Sequence, residues 1–344
     1  MSDRPVAPLS PFRDPQAGGR AGRVQLWLRN GLTAIFLMYA FSQVAGLSVF
    51  DSMMLSGSAT TVAGLWLGVG VRTRMHAAVD MLRQSGALLL TPAQLGALHR
   101  LLDTAGARIG RASSVITALA EVTVVISGTV LVPWLIFGVP PVRSSEAGLS
   151  IGVIDAGVFV GLLIVSVPAA AVIGWYMGQF AGYGRLPALI SEAGGRLRGH
   201  AQAGDRVGGL RPLVSFVWRQ ATLSLLPMLW IGTWLVLTAF DGLDERYGFW
   251  RFSLFLLFGL SVLYAVQGFW APARMLVQLF DQQLVAAGND AQLARAISAA
   301  RRGAGPVAAA FIALATVLSL AIVGAALLAW SKGGWSRALF GPPL

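Results

Sequence analysis

The chain of 344 residues contains no cysteine and only one lysine, Lys332. Without cysteine there is no disulfide framework, no thiolate metal site and no cysteine nucleophile. Charge is scarce as well: Asp, Glu, Lys and Arg make up 12% of the chain, where a soluble domain carries about a quarter. The three histidines, His76, His99 and His200, are not at metal-ligand spacing. No GxxxxGK phosphate loop or HExxH helix occurs, and no apolar stretch combines acids with histidine as a metal-dependent membrane hydrolase requires. The sequence therefore reads as a non-enzyme with no catalytic residue, no metal site and no cofactor. Its aromatic residues lie near the ends of apolar runs rather than among basic residues, which argues against a nucleic-acid partner.

Apolar residue types fill 56% of the chain, and the mean hydropathy is +0.68. These values point to lipid as the solvent. About 20 apolar residues are needed to cross the hydrocarbon as a helix. Seven stretches qualify: 31–50, 54–71, 113–138, 151–177, 221–240, 249–270 and 306–330. The second is the weakest, being short and rich in Gly, Ser and Thr ("LSGSATTVAG"). The expectation is an all-α, polytopic bundle of seven transmembrane helices within 31–330, with a basic tail at 1–30 and a short tail at 331–344.

Direction follows from the basic residues, which are retained on the cytoplasmic side of short loops. Segments 1–30, 72–112, 178–220 and 271–305 hold 21 of the 26 basic residues, and the alternate segments with Arg251 hold 5. This places the N-terminus in the cytoplasm and the C-terminus outside, in a cell membrane of bacterial inner-membrane type.

The three inner segments have helical patterning of their own. Met75, Val79, Leu82 and Leu89 recur at helical spacing in the first. "TPAQLGALHRLL" then opens a second helix, with Thr91 as cap, Pro92 at the first position and a stripe of Leu95, Leu98, Leu102 and Ile109. In the third, Met275, Leu276, Leu279, Phe280 and Leu284 form one face. "GND" at 288–290 breaks it, and Asp290 caps a restart carrying Leu293 and Ile297. The second, rich in Gly, has a weaker face of Leu186, Leu189, Ile190 and Leu197. Together these segments suggest a cytoplasmic helical layer, each loop extending one span, breaking and returning into the next.

Within "ITALAEVTVVISGTVLVPWLIFG" (116–138) stands Glu121. A charge at that depth costs at least about 2–3 kcal/mol unless it faces protein or water, or is neutral. Glu121 is thus the leading pore or ligand candidate, with Gln43, Gln267, Tyr264, Tyr39, Thr117 and Thr123 as partners that the sequence does not rank. Asp155 lies nearer the outer end of its span and is a second candidate. Pro133, Pro168, Pro227 and Pro306 each remove a helix hydrogen bond and are hinge candidates. Small-xxx-small pairs at Gly64/Gly68, Gly157/Gly161 and Gly178/Gly182 permit close helix contact.

Seven spans with an internal N-terminus, short outer turns and long helical inner loops resemble the insect odorant- and gustatory-receptor type of seven-helix channel. "DAQLARAISAARRGAGPVAAAFIALATVL" is similar to that family's last helix, split between cytoplasm and membrane. The family's signature motif in that helix has no counterpart here. The resemblance implies a homo-tetrameric, ligand-gated cation channel or chemosensor with an inner anchor domain. The alternatives are a small-solute or proton-coupled transporter and a non-catalytic scaffold or accessory subunit.

Overall fold

The computed structural model describes residues 20–44, 52–145, 148–198, 209–238, 251–299 and 301–302, and short pieces between 313 and 324. The fold is all-α, with two very small sheets. Helix α1 (Arg20–Val44) leads to α2 (Ser52–Gly68). Gly70, in the left-handed region at φ 66°, then turns the chain into α3 (Val71–Gln84). Only glycine enters that region without a Cβ penalty, so α2 and α3 are two helices rather than one.

Strand β1 (Leu88–Leu89) precedes α4 (Pro92–Ile126), which runs through a π turn at Ser127–Leu131 into α5 (Val132–Phe137). The resulting rod of 46 residues is about 69 Å long at 1.5 Å per residue. Its start is fixed as the sequence predicts. The Thr91 hydroxyl accepts from the Gln94 amide (3.3 Å), Gln94 Oε1 accepts from the Thr91 amide (2.9 Å), and Pro92 occupies the first turn. Such a capping box satisfies two donors that the first turn leaves over.

A three-stranded antiparallel sheet follows: β2 (Val142–Ser145), β3 (Gly148–Ile151) and β4 (Ile154–Asp155). Helix α6 (Ala156–Tyr183) therefore starts five residues later than the span expected from 151, because those residues pair as strand. Then come α7 (Leu186–Glu192), β5 (Arg196–Leu197), α8 (Arg211–Leu237), α9 (Arg251–Ala287) and a helical stretch over 291–299.

Four of these helices are long and apolar enough to cross a membrane: Pro92–Phe137, Ala156–Tyr183, Arg211–Leu237 and Arg251–Ala287. They are the helices of a membrane-embedded protein. The apolar part of α1 is the shorter Leu26–Phe41, and α2 has 17 residues. The seventh expected span, with Pro306, lies largely outside the described residues.

Residues from the three segments expected on the inner side pack together in one core. Met75, Val79 and Leu82 of α3, Leu98 and Leu102 of α4, Leu186 and Ile190 of α7, Leu279 and Phe280 of α9, and Ile297 are all buried in the same cluster. Leu89 departs from the expected stripe. Helix α3 ends at Gln84, Gly86 turns the chain at φ 77°, and Leu89 emerges on β1 with half its surface exposed. Strand β1 pairs antiparallel with β5, Leu88 opposite Leu197, and Gln94 Nε2 donates to the Gly194 carbonyl (3.0 Å). The first and second inner segments are thereby joined. Asp290 Oδ1 accepts from the Gln292 and Leu293 amides (3.1 and 2.9 Å), capping the restart as expected.

The largest helix pair is α4 with α6, and small residues make it. A Cβ built on Gly178 would lie 2.6 Å from the Ile109 carbonyl oxygen and 2.7 Å from Gly110 Cα. One built on Gly182 would meet the Ala105 oxygen at 2.7 Å, and one on Gly174 the Thr117 hydroxyl at 2.0 Å. The predicted Gly178/Gly182 pair thus belongs to a three-glycine stripe. Gly64 and Gly68 also serve a contact, against Ile173 and Tyr176, whereas Gly161 faces open space.

Candidate functional site

Six helices line a half-open cavity of about 260 Å³. Helix α4 supplies Thr117 and Glu121; α2 supplies Thr60, Thr61 and Gly64; α6 supplies Ser166 and Ala170. Phe36 of α1, Pro227 and Trp230 of α8, and Ser261 and Tyr264 of α9 complete the wall. The wall is mainly apolar and carries hydroxyls. Glu121 is its one ionisable acid, and no Arg, Lys or His side chain lines it among the described residues.

Each element presents these groups for a local reason. Thr117 and Glu121 are four residues apart on α4, so they share a face. The Thr117 hydroxyl bridges the helix pair, lying 2.9 Å from both the Ser113 and the Ala170 carbonyl oxygens. Gly57 of α2 leaves room for the six-membered ring of Trp230, which an added Cβ would meet at 2.8 Å. The Trp230 indole N–H donates to the Ser56 hydroxyl (2.9 Å), as does that of Trp234 (2.9 Å). This fixes the Trp230 ring and directs its only polar group away from the cavity.

Ser166 is the polar neighbour of the Glu121 carboxyl, although its hydroxyl makes no well-formed hydrogen bond. Tyr264 belongs to the same wall, and its phenol oxygen is 3.5 Å from the Ser113 hydroxyl. A second, smaller cavity of about 140 Å³ lies beyond, sharing Tyr264 and Met177 and reaching Gln220.

Of the site residues expected from the sequence, the structure brings Glu121 and Tyr264 together. Thr117 joins them, while Thr123 is exposed and bonds its own helix at the Leu119 carbonyl (2.8 Å). The side chains of Gln43 and Gln267 lie outside the described residues. Asp155 is separate, at the N-terminus of α6. There its carboxylate accepts from the Gly157 and Val158 amides (2.7 and 3.2 Å), the bonds of an N-cap.

Among the hinge candidates, Pro227 lines the cavity and Pro168 lies two residues from Ser166. Pro133 follows the π turn. Lacking an N–H, it cannot bond the Thr129 carbonyl four residues back; the Val153 amide takes that place at 3.1 Å. Gly152, at φ 59°, allows the approach, since a Cβ there would fall 1.7 Å from the Thr129 oxygen.

A second polar cluster joins α3 to α4. Both guanidinium nitrogens of Arg72 that face Asp103 bond its carboxylate, Nε to Oδ1 at 2.6 Å. His76 Nε2 is 3.0 Å from the same oxygen. The His76 ring stacks on His99 with centroids 4.3 Å apart and planes 3° from parallel, and His99 Nε2 lies 3.4 Å from Asp80. Burial pushes the His76 pKa below its ordinary value, with His99 and Arg72 adding to the shift and Asp103 opposing it. No group of three or more His, Cys, Asp or Glu side chains placed to hold a metal ion occurs among the described residues. Arg219 is a structural cation. Its guanidinium donates to the Leu67 and Trp66 carbonyls (2.7 and 3.1 Å), closing the end of α2.

Sequence reasoning missed Ser166, Trp230 and the His76–His99 stack. Trp230 was findable as the aromatic residue one turn after Pro227. The stack has no local signal, since its partners are 23 positions apart on two helices. Comparison with known protein families, with characterised proteins and with solved structures finds no match.

Proposed function

We propose that this chain is a seven-span membrane protein, N-terminus in the cytoplasm, that binds a small solute in the central cavity and carries it across the bilayer. The observation that carries this reading is the location of the cavity: it lies inside one chain, walled by six helices, with a carboxyl group on an otherwise apolar and hydroxylated surface. Sites of this kind, apolar with a few placed polar groups, hold small molecules between helices of bundles. Pro227 at the wall, and Pro168 two residues from Ser166, supply points where α8 and α6 lack a hydrogen bond and can bend. The four described spans and the 21-to-5 distribution of basic residues support the membrane placement and its direction.

Native mass spectrometry of the detergent-solubilised protein, after exposure to a small-molecule library, tests the binding step. Wild type is expected to retain a ligand that Ala120→Trp, which fills the cavity, loses. Retention of nothing by wild type, or of the same compounds by both, refutes the reading. A reporter fused after Leu344 is expected to be active only outside the cytoplasm.

A second reading uses the same cavity as the receptor site of a ligand-gated, oligomeric channel. The common core formed by the inner segments favours it, since such a core offers an assembly surface away from the lipid. Single-channel current from planar bilayers distinguishes the two: ligand-opened unitary currents belong to the channel, solute flux without them to the carrier.

A further inference from the structure

We infer that the ligand of the central cavity is a small organic cation, a lipophilic amine that pairs with Glu121 and lays its apolar body against the aromatic wall. This rests on the small-solute reading above and assigns its chemical class.

The first argument is charge balance. Among the described residues Glu121 is the only carboxylic acid of the cavity wall, and no basic side chain lines the cavity to neutralise it. Glu121 as a residue is part-buried and lines the cavity. Its polar neighbour is the Ser166 hydroxyl, which has no charge to offer. An anionic solute would meet a like charge or an acid and no cation. A neutral solute would leave the carboxyl unanswered. An ammonium group forms a pair with zero net charge, and in water-poor surroundings charge-assisted hydrogen bonds are the strong ones.

The second argument is the aromatic part of the wall. Phe36, Trp230 and Tyr264 come from three different helices and all face the cavity. Aromatic faces attract cations by their quadrupole, Trp most strongly. The Trp230 N–H is already committed to Ser56, so what the indole offers a ligand is ring surface. The remaining lining groups are hydroxyls of Ser and Thr, which can accept from the other N–H bonds of an ammonium group.

The third argument is size. At about 260 Å³ the cavity falls below the roughly 300–1,000 Å³ typical of drug-sized ligands, which selects a compound with one ring rather than several.

Isothermal titration calorimetry of the full-length protein in lipid nanodiscs at neutral pH tests the assignment with three isosteres: phenethylamine, phenethyl alcohol and phenylacetate. The expected order is amine about ten- to a hundredfold tighter than alcohol, the range of one charged hydrogen bond, with phenylacetate weakest. In Glu121→Gln the amine should fall to the affinity of the alcohol, while alcohol binding is unchanged and reports an intact cavity. Trp230→Leu should weaken the amine more than the alcohol. Equal binding of alcohol and amine by wild type, tighter binding of phenylacetate, or an amine preference that survives Glu121→Gln each overturns the cation assignment and leaves the small-solute reading standing. Failure of all three probes overturns it too, and if the library in the mass-spectrometric experiment also yields nothing, the small-solute reading falls with it.

Discussion

Replacing Gly178 by alanine tests whether the α4–α6 seam is held by backbone contact. The added Cβ would lie 2.6 Å from the Ile109 oxygen and 2.7 Å from both Gly110 Cα and Ser113 Cβ. Carbon atoms settle at about 3.5–4.0 Å, and two of these three neighbours are backbone, which has no rotamer to turn aside. The helices must therefore separate by close to 1 Å at this level. A gap of that size forfeits about a quarter to a half of each 0.1–0.2 kcal/mol contact, so a seam on the order of fifty atom pairs loses about 1–5 kcal/mol. Alanine returns up to about 1 kcal/mol of helix propensity, leaving a net loss of up to about 4 kcal/mol. Gly161→Ala is the internal control: same helix, same chemical change, and nothing within 4 Å. Unfolding in nanodiscs, followed by tryptophan fluorescence, should place Gly178→Ala below wild type and Gly161→Ala at or slightly above it. Equal stability of the two variants would show that the seam does not depend on the missing Cβ, and the packing argument would fail.

Stability should fall on acidification because of His76. Its folded pKa lies below the ordinary value of 6.5, so between the two values the unfolded chain binds more protons and stability rises with pH. The contribution is full above about pH 6.5 and is lost as pH drops through the lowered folded value; His76→Gln should flatten that limb of a thermal-unfolding profile. Ser56→Ala should cost about 1–3 kcal/mol in the same unfolding assay, because it leaves the Trp230 and Trp234 indole donors without their acceptor; a neutral result would mean that both find another partner. Gly152→Ala combines a left-handed backbone with a Cβ 1.7 Å from the Thr129 oxygen, and should release the outer sheet from the π turn. Hydrogen exchange at the Val153 amide should rise at least about tenfold, matching the roughly 1.4 kcal/mol or more that the strained residue costs.

Local chemistry was legible in the sequence wherever one helix turn decides the outcome. Thr91-Pro92 with Gln94 three positions on, the restart at Asp290, and the buried faces of α3, α4 and α9 all depend on neighbours within four residues. Glu121 stood out because a carboxyl in an apolar run needs a reason. The cavity was hidden because its wall is drawn from six helices, and which Ser, Thr or aromatic residue faces inward depends on helix rotation. The three-stranded sheet was hidden as well: residues 139–150 read as a connecting segment and 151–155 as the start of a span, and only the strand pairing separates 151–155 from α6. Leu89 shows the same limit in reverse. It kept the helical period of α3 by spacing alone, beyond a glycine turn that ended the helix.

The 46-residue rod of α4 and α5 has a mechanical consequence. A hydrocarbon slab about 30 Å thick would hold less than half of its roughly 69 Å length, so more than half of the rod would extend beyond such a slab. Glu121 and the His99–Asp103 cluster ride on this one beam, about 27–33 Å apart along its axis. A tilt of about 5° at the carboxyl swings the histidine end by roughly 2–3 Å, comparable to the helix shifts by which switching proteins signal. A tilt of the rod set at the carboxyl would therefore reach the histidine end as movement.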